Sequence, residues 1–309
     1  MKMIPVAFII LLALMTSAQC QQTAEDWFNK GDSLLNLGKY NESIDAYNKA
    51  IELNQSYAMA WSHKGSALFN LSLYNESLEY YNKAIELDSK LAPPWSGKGA
   101  VFVHYGKYDE ALKACDEAIR LDPNFAKAWK NKGNALYSQN KYDEAIKSYD
   151  EAIRLDPKDA TDWNNKGTAL RNQGKDDEAI RCFDEAIRLD PNHAMAWSNK
   201  GLAFREQGKY DEAVEAYDEA IKLNSSDPDY WNNKGAALYD QKKYDDAIEV
   251  FDESIKLNSS EPGYWFNKGN ALNKLGNYDN AISSYDEAIK LNSSDPDYWN
   301  NKGFALYDL

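Results

Sequence analysis

Residues 126–159 run AKAWKNKGNALYSQNKYDEAIKSYDEAIRLDPKD, and their spacing decides the fold. Trp129, Gly133 and Leu136 stand four and then three residues apart, and Ala145, Ile146, Tyr149, Ala152, Ile153 and Leu155 continue in helical steps. Side chains at such intervals share one face of an α-helix, so the stretch predicts two amphipathic helices joined by a short turn. The second helix opens on Asp143-Glu144 and closes on Arg154, charges that complement the helix dipole at both ends.

The pattern recurs along the whole chain. Trp27, Trp61, Trp95, Trp129, Trp163, Trp197, Trp231, Trp265 and Trp299 are each 34 residues apart and account for all nine tryptophans. Each is followed three and four residues later by Lys-Gly, from Lys30-Gly31 to Lys302-Gly303. A fixed period of this length marks a repeat array. The turn inside a unit carries glycine in Gly106-Lys107-Tyr108 and Gly208-Lys209-Tyr210, where the chain leaves the helix with positive φ. Some units close on Pro123, Pro157 or Pro191, while later ones place Pro228, Pro262 and Pro296 in the first turn of the next helix, where a missing N–H costs nothing. Residues 217–235 and 285–303 are identical, the mark of a duplicated pair of repeats.

Composition narrows the function classes. The chain has 309 residues, 43% hydrophobic and 27% charged, as in folded soluble proteins. A formal net charge of −14 opposes binding to nucleic acid and to anionic membrane surfaces. Three Cys and three His exclude a disulfide-dense scaffold and leave little for a metal centre. Cys115 and Cys182, two repeats apart, are expected as unpaired core thiols.

Trp at the fourth position, Gly at the eighth, Ala at the twentieth, Tyr or Phe at the twenty-fourth, Ala at the twenty-seventh and Pro at the thirty-second resemble the tetratricopeptide repeat. The resemblance covers residues 24–309, eight full repeats and the first helix of a ninth. Ser43 and Ser77 depart from the Ala position, Cys115 from the aromatic, and Asp176 from the Tyr of the turn. The resemblance implies an all-α, right-handed superhelical solenoid of stacked antiparallel helix pairs, with the first helices lining its concave side.

Lys2, the apolar run Met3–Met15 and the small residues Thr16-Ser17-Ala18 have the order of a secretory signal peptide over residues 1–20, with cleavage expected after Ala18. The protein is thus expected to be secreted or held at the cell surface. Membrane contact follows only if this segment is retained or Cys20 is lipidated, and the Ser17-Ala18-Gln19 before Cys20 fits lipidation poorly.

Groove-facing positions of the family include the second, fifth, sixth, ninth, twelfth and thirteenth. The sixth is Asn in most repeats: Asn29, Asn131, Asn165, Asn199, Asn233, Asn267 and Asn301. A carboxamide both donates and accepts, so such a ladder suits the amides of an extended peptide. Tyr137, Arg171, Arg205 and Tyr239 stand at the twelfth position as candidate anchors. Lys130, Asn134 and Asn165 match part of the family's carboxylate clamp, but Met195 and Asn199 replace its two further bases. Asn41, Asn54, Asn70, Asn75, Asn224, Asn258 and Asn292 head Asn-x-Ser sequons that an exported chain presents for glycosylation.

No catalytic constellation is visible: His63, His104 and His193 fall at unrelated repeat positions, with no expected convergence on carboxylates. Gly97-Lys98-Gly99 resembles the start of a phosphate loop but lies inside a first helix. No catalytic residue, cofactor or metal is assigned. The expected function is an exported scaffold that binds a protein or peptide in an Asn-lined groove. The alternatives are self-assembly through the last helix, whose Trp299, Gly303 and Leu306 lack a covering second helix, or a targeting arm of a larger enzyme. Because neighbour interfaces carry the order, deleting one internal 34-residue unit is expected to leave a shorter helical array, checked by circular dichroism.

Overall fold

The computed structural model describes residues 22–309, so the leader reading and Cys20 lie outside the described residues. Among the described residues there are seventeen α-helices and no strand. Numbering repeats from Ala24 in steps of 34, each first helix spans thirteen residues, as in Ala194–Glu206, and each second helix fourteen, as in Tyr210–Leu223. The chain divides into two compact units, one ending at Gln139 and the other running from Asn140 to Leu309. The division falls in the turn of repeat four. Within each unit, consecutive helices pack pairwise and successive first helices lie side by side.

One contact recurs inside the repeats. The eighth-position glycine of the first helix leaves room for the aromatic at the twenty-fourth position of the second, so Gly167 faces Phe183, Gly201 faces Tyr217, Gly235 faces Phe251 and Gly269 faces Tyr285. A Cβ on Gly201 would lie 2.8 Å from the Tyr217 ring, too close for any side chain. These rings are fully buried, flanked by alanines with no exposed surface, such as Ala213 and Ala220. Ser77 substitutes for alanine without an orphaned hydroxyl, because its Oγ donates to the Gly65 carbonyl at 2.8 Å. The Gly97-Lys98-Gly99 stretch is explained by packing as well: Gly97 receives the Tyr81 ring and Gly99 the Cys115 sulfur.

The Trp and Lys of the repeat serve the seam between repeats. The indole N–H donates to the carbonyl six residues upstream, as from Trp129 to Pro123 at 3.0 Å and Trp231 to Ser225 at 3.0 Å. The Lys three residues on reaches the preceding second helix, pairing Lys132 with Asp116, Lys166 with Asp150 and Lys200 with Asp184 at 2.6–2.8 Å. The same ammonium lies over its own tryptophan ring, at 5.7 Å for Lys166 and Trp163. The periodic Lys and Asp are therefore joints between repeats.

Turns within repeats place one residue in the left-handed region: Gly in five of them, with φ between 69° and 75°, and Ser72, Asn140 and Lys242 in the others. Repeat five keeps this turn despite Asp176, through Gly174. Gly201→Leu is expected to overpack against Tyr217 and cost about 1–3 kcal/mol, measured as a lower urea midpoint with unchanged helicity at zero urea.

Candidate binding face

The first helices of each unit present one common face, and most of the predicted groove residues stand half-buried on it. Lys130, Asn131, Asn134 and Tyr137 share the last helix of the N-terminal unit, Ala126–Ser138. Asn165, Arg171, Asn199, Arg205, Asn233, Tyr239, Asn267 and Asn301 lie on successive first helices of the C-terminal unit.

Several of the asparagines already bond to the preceding repeat. The Asn131 amide donates to the Ser96 carbonyl and hydroxyl at 3.1 and 3.0 Å. Asn199 donates to Asn164 at 2.9 Å, Asn267 to Asn232 at 2.9 Å and Asn301 to Asn270 at 2.8 Å. An amide N–H used this way cannot also hold a peptide carbonyl. The ladder thus joins the first helices to one another.

The twelfth-position arginines are also tied across repeats. Arg171 pairs with Glu206 at 2.7 Å and Arg205 with Asp240 at 2.6 Å, in each case reaching the acid at the thirteenth position of the next repeat. Tyr239 packs edge-on against Tyr244 of its own repeat, with ring centroids 5.3 Å apart.

Beneath this layer, the ninth position meets the aromatic of the twenty-fourth. Tyr47 donates to Asp32 at 2.7 Å, Tyr81 to Ser66 at 3.1 Å and Tyr285 to Asn270 at 2.9 Å. In repeat six the ninth residue is Leu202, and the buried Tyr217 hydroxyl has no partner. Burial also drives the Tyr217 pKa upward, which keeps the phenol protonated. In repeat seven the pair is Ala236 and Phe251, and a pocket of about 130 Å³ opens beside them. Tyr239, the Arg205–Asp240 pair, Asn267 and Asn270 line it as well.

This pocket brings Arg205, Tyr239 and Asn267 together from three consecutive repeats. Ala236, Phe251, Asn270 and Asp240 were missed by the sequence reading. Their signal was there: only in repeat seven of the C-terminal unit do alanine at the ninth position and an unhydroxylated twenty-fourth residue coincide. Three wider hollows of about 470–510 Å³ lie instead along the seam at Trp61, Trp197 and Trp265, and their recurrence makes them a feature of repeat packing.

One expectation is corrected at the N-terminal end. His63 does meet a carboxylate: its Nδ1 lies 2.6 Å from Asp32 Oδ1, which also accepts from Tyr47. The residues are 31 apart, so only the stacking of repeats one and two joins them. Burial alone would raise the Asp32 pKa, but the His63 and Tyr47 contacts outweigh it and hold the carboxyl below its usual range.

Four sequon asparagines act in the loops between repeats. Asn54, Asn224, Asn258 and Asn292 each accept from the Ser two residues on, at 2.7–2.8 Å to its hydroxyl. Asp88, Asp122, Asp156 and Asp190 make the equivalent backbone turn, so the position needs an acceptor oxygen. Asn41 is exposed at a helix start, Asn70 donates to Ser66 and Asn75 accepts from Tyr105. Cys115 and Cys182 are free and buried, their thiols pushed up to about 12 and about 11 by burial. Among the described residues no group of three or more His, Cys, Asp or Glu is placed to hold a metal, and no helix is long and apolar enough to cross a membrane.

Family profiles of the tetratricopeptide repeat match residues 58–91, 92–125 and 126–159, and residues 164–228 and 199–262; a further TPR repeat profile matches 31–72 and 269–309. These matches span most of the chain, and the protein belongs to the tetratricopeptide repeat family. Among solved structures it is similar to the crystal structure of the APC/C hetero-tetramer Cut9–Hcn1, with a TM-score of 0.74 and 17% identity. That match covers 94% of this chain and 57% of the other, and the likeness is one of fold. The crystal structure of YrrB, described as a TPR protein with an unusual peptide-binding site, matches at a TM-score of 0.47 and 28% identity, over 64% of this chain and 99% of that one. No curated protein matches the sequence.

The buried tyrosines and Asp32 each set a measurable difference. Tyr285→Phe removes a made hydrogen bond and is expected to cost about 1 kcal/mol, whereas Tyr217→Phe removes an unpartnered hydroxyl and is expected to be neutral or stabilising by urea unfolding. The Asp32 pKa is lowered by folding, so its contribution is complete above the unfolded value of about 4 and is lost as pH falls through the lowered folded value. An acid titration followed by circular dichroism should show this component in the parent protein and not in Asp32→Asn.

Proposed function

We propose that the protein is an exported, non-catalytic scaffold that holds an extended segment of a protein partner along the face shared by its first helices. The observation that carries this reading is the pocket where Arg205, Tyr239 and Asn267 converge, because aromatic and arginine side chains are the usual makings of a binding hot spot. The inter-repeat bonds of the asparagines support it in a different way from a direct peptide grip. They fix the rim in place before a partner arrives, which lowers the ordering cost of binding. Export rests on the order of charge, apolar run and small residues at the N-terminus.

The test is affinity capture from an extracytoplasmic fraction, with the protein and an Arg205→Ala/Tyr239→Ala variant as paired baits of equal helicity. A partner enriched at least tenfold on the parent over the variant supports the reading. Equal recovery on both baits removes the partner from this face.

A second reading has its own observation. Trp299, Phe304, Leu306 and Tyr307 on the last helix, Pro296–Asp308, are 52–88% exposed, while Tyr298 and Ala305 on its other side are buried. An apolar stripe of this kind favours self-association. Light scattering across a concentration series should show a rising mass that Phe304→Asp/Tyr307→Asp abolishes; a constant monomer mass excludes it.

A further inference from the structure

We infer that Asn54, Asn224, Asn258 and Asn292, in the loops that join one repeat to the next, are sites of N-linked glycosylation, and that Asn41, Asn70 and Asn75 are not. This goes beyond the scaffold reading and rests on its export clause, since asparagine sequons are acceptors on exported chains.

The seven sequons divide by their surroundings. Asn41 and Asn75 lie in the first turn of second helices, Tyr40–Leu53 and Tyr74–Leu87. The serine that completes each sequon is fully buried, Ser43 donating to the Tyr40 carbonyl and Ser77 to the Gly65 carbonyl, both at 2.8 Å. Asn70 ends a first helix, and its amide nitrogen is already engaged, donating to the Ser66 carbonyl at 3.0 Å. The other four directly follow second helices, with φ from −146° to −143° and ψ from 85° to 93°, so the chain is extended there. Asn54 and Asn224 are exposed, Asn258 and Asn292 half-exposed, and Ser56, Ser226, Ser260 and Ser294 are all exposed. Each asparagine Oδ1 accepts the serine hydroxyl at 2.7–2.8 Å and the serine N–H at 3.1–3.3 Å. Both bonds fall on oxygen. The nitrogen Nδ2, which is the atom that receives a sugar, donates to no group among the described residues.

The turn itself does not require this pairing of residues. Asp88, Asp122, Asp156 and Asp190 build the same turn with a carboxylate oxygen, which would accept a serine hydroxyl more strongly than a carboxamide does. Yet the residues two places after these aspartates are Lys90, Asn124, Lys158 and Asn192, and Pro123, Pro157 and Pro191 occupy the middle place, where a sequon excludes proline. Serine at the third place accompanies asparagine alone. Asn224 and Asn292 belong to the duplicated block and count once; Asn54 and Asn258 stand outside it and keep the pairing. What asparagine offers and aspartate lacks is the amide nitrogen.

An amide nitrogen is a weak nucleophile, so the step takes an activated donor, an oligosaccharide joined to a polyprenyl phosphate, and the transferase that uses it. Nδ2 bonds to the anomeric carbon, the bond from that carbon to the phosphate oxygen breaks, one amide proton is lost to base, and the lipid phosphate leaves with the electron pair. The loop backbone is held from elsewhere: the Gln55 carbonyl accepts from Trp61 at 2.9 Å and the Ser225 carbonyl from Trp231 at 3.0 Å. None of the four asparagines is on a first helix, so the sugars are placed off the elements that bear Arg205 and Tyr239.

The test uses the protein recovered from an extracytoplasmic fraction of the cells that make it. Cleavage after glutamate puts Asn224 and Asn292 in peptides that differ at Ala236 and Phe304, and electron-transfer fragmentation leaves each sugar on its residue for mass spectrometry. Glycan mass is expected on Asn54, Asn224, Asn258 and Asn292, with Asn41, Asn70 and Asn75 unmodified. Asn224→Asp, which copies Asp190, should remove one glycan mass and leave helicity unchanged; Ser226→Ala should remove it too, and Ser226→Thr should keep it. A chain whose leader has been removed but whose four loop asparagines are bare overturns the glycan assignment and leaves export standing. A chain that still begins at Met1, stays in the cytoplasm and is bare overturns both. Glycan on Asn41 or Asn75, or an undiminished glycan mass in Asn224→Asp, overturns the selection of sites.

Discussion

The structure depends on the seating of one second-helix side chain, an aromatic ring in most repeats and Cys115 in repeat three, beneath one glycine. A helix pair with a Cβ at the eighth position cannot close over Tyr217 or Phe251, and without that closure the flanking alanines have nothing to pack against. Everything else is arranged around this contact. Tryptophan fastens the loop before the first helix, lysine spans to the previous second helix, and the asparagines join neighbouring first helices. Each repeat is thereby completed by its neighbour, as expected of an array whose units cannot bury their apolar faces alone.

That arrangement leaves room for small sequence changes at the face of the first helices. The ring at the twenty-fourth position brings its hydroxyl close to the first-helix face, where the ninth residue either answers it or does not. Asp32, Ser66 and Asn270 answer; Leu202 leaves a phenol unpartnered, and Ala236 with Phe251 leaves a hollow. The scaffold tolerates these differences because the ring–glycine contact is unchanged. A repeat can therefore vary at this surface while its fold is set by other positions.

Electrostatics on the first-helix face follow the same logic. The chain is strongly acidic, yet Arg171 and Arg205 are each balanced by an acid of the following repeat. Much of the remaining acid lies in periodic pairs with lysine or arginine, including exposed helix pairs such as Arg120 with Glu117, which add little stability each.

The sequence by itself determined the period, the helix pairs, the turn between them and the family, because each is written in local spacing: tryptophan every 34 residues, apolar steps of three and four, glycine or its substitutes at the turn. Of the residues it singled out on the first helices, Arg205, Tyr239 and Asn267 converge on one pocket. Tertiary structure alone decided what those side chains do there. The direction of an asparagine amide depends on a neighbour 31 or 35 residues away, as does the partner of Arg205, and His63 meets Asp32 only when repeats one and two stack. Spacing within a helix fixes which side a residue faces; which polar atom it finds there is settled by the repeat packed against it.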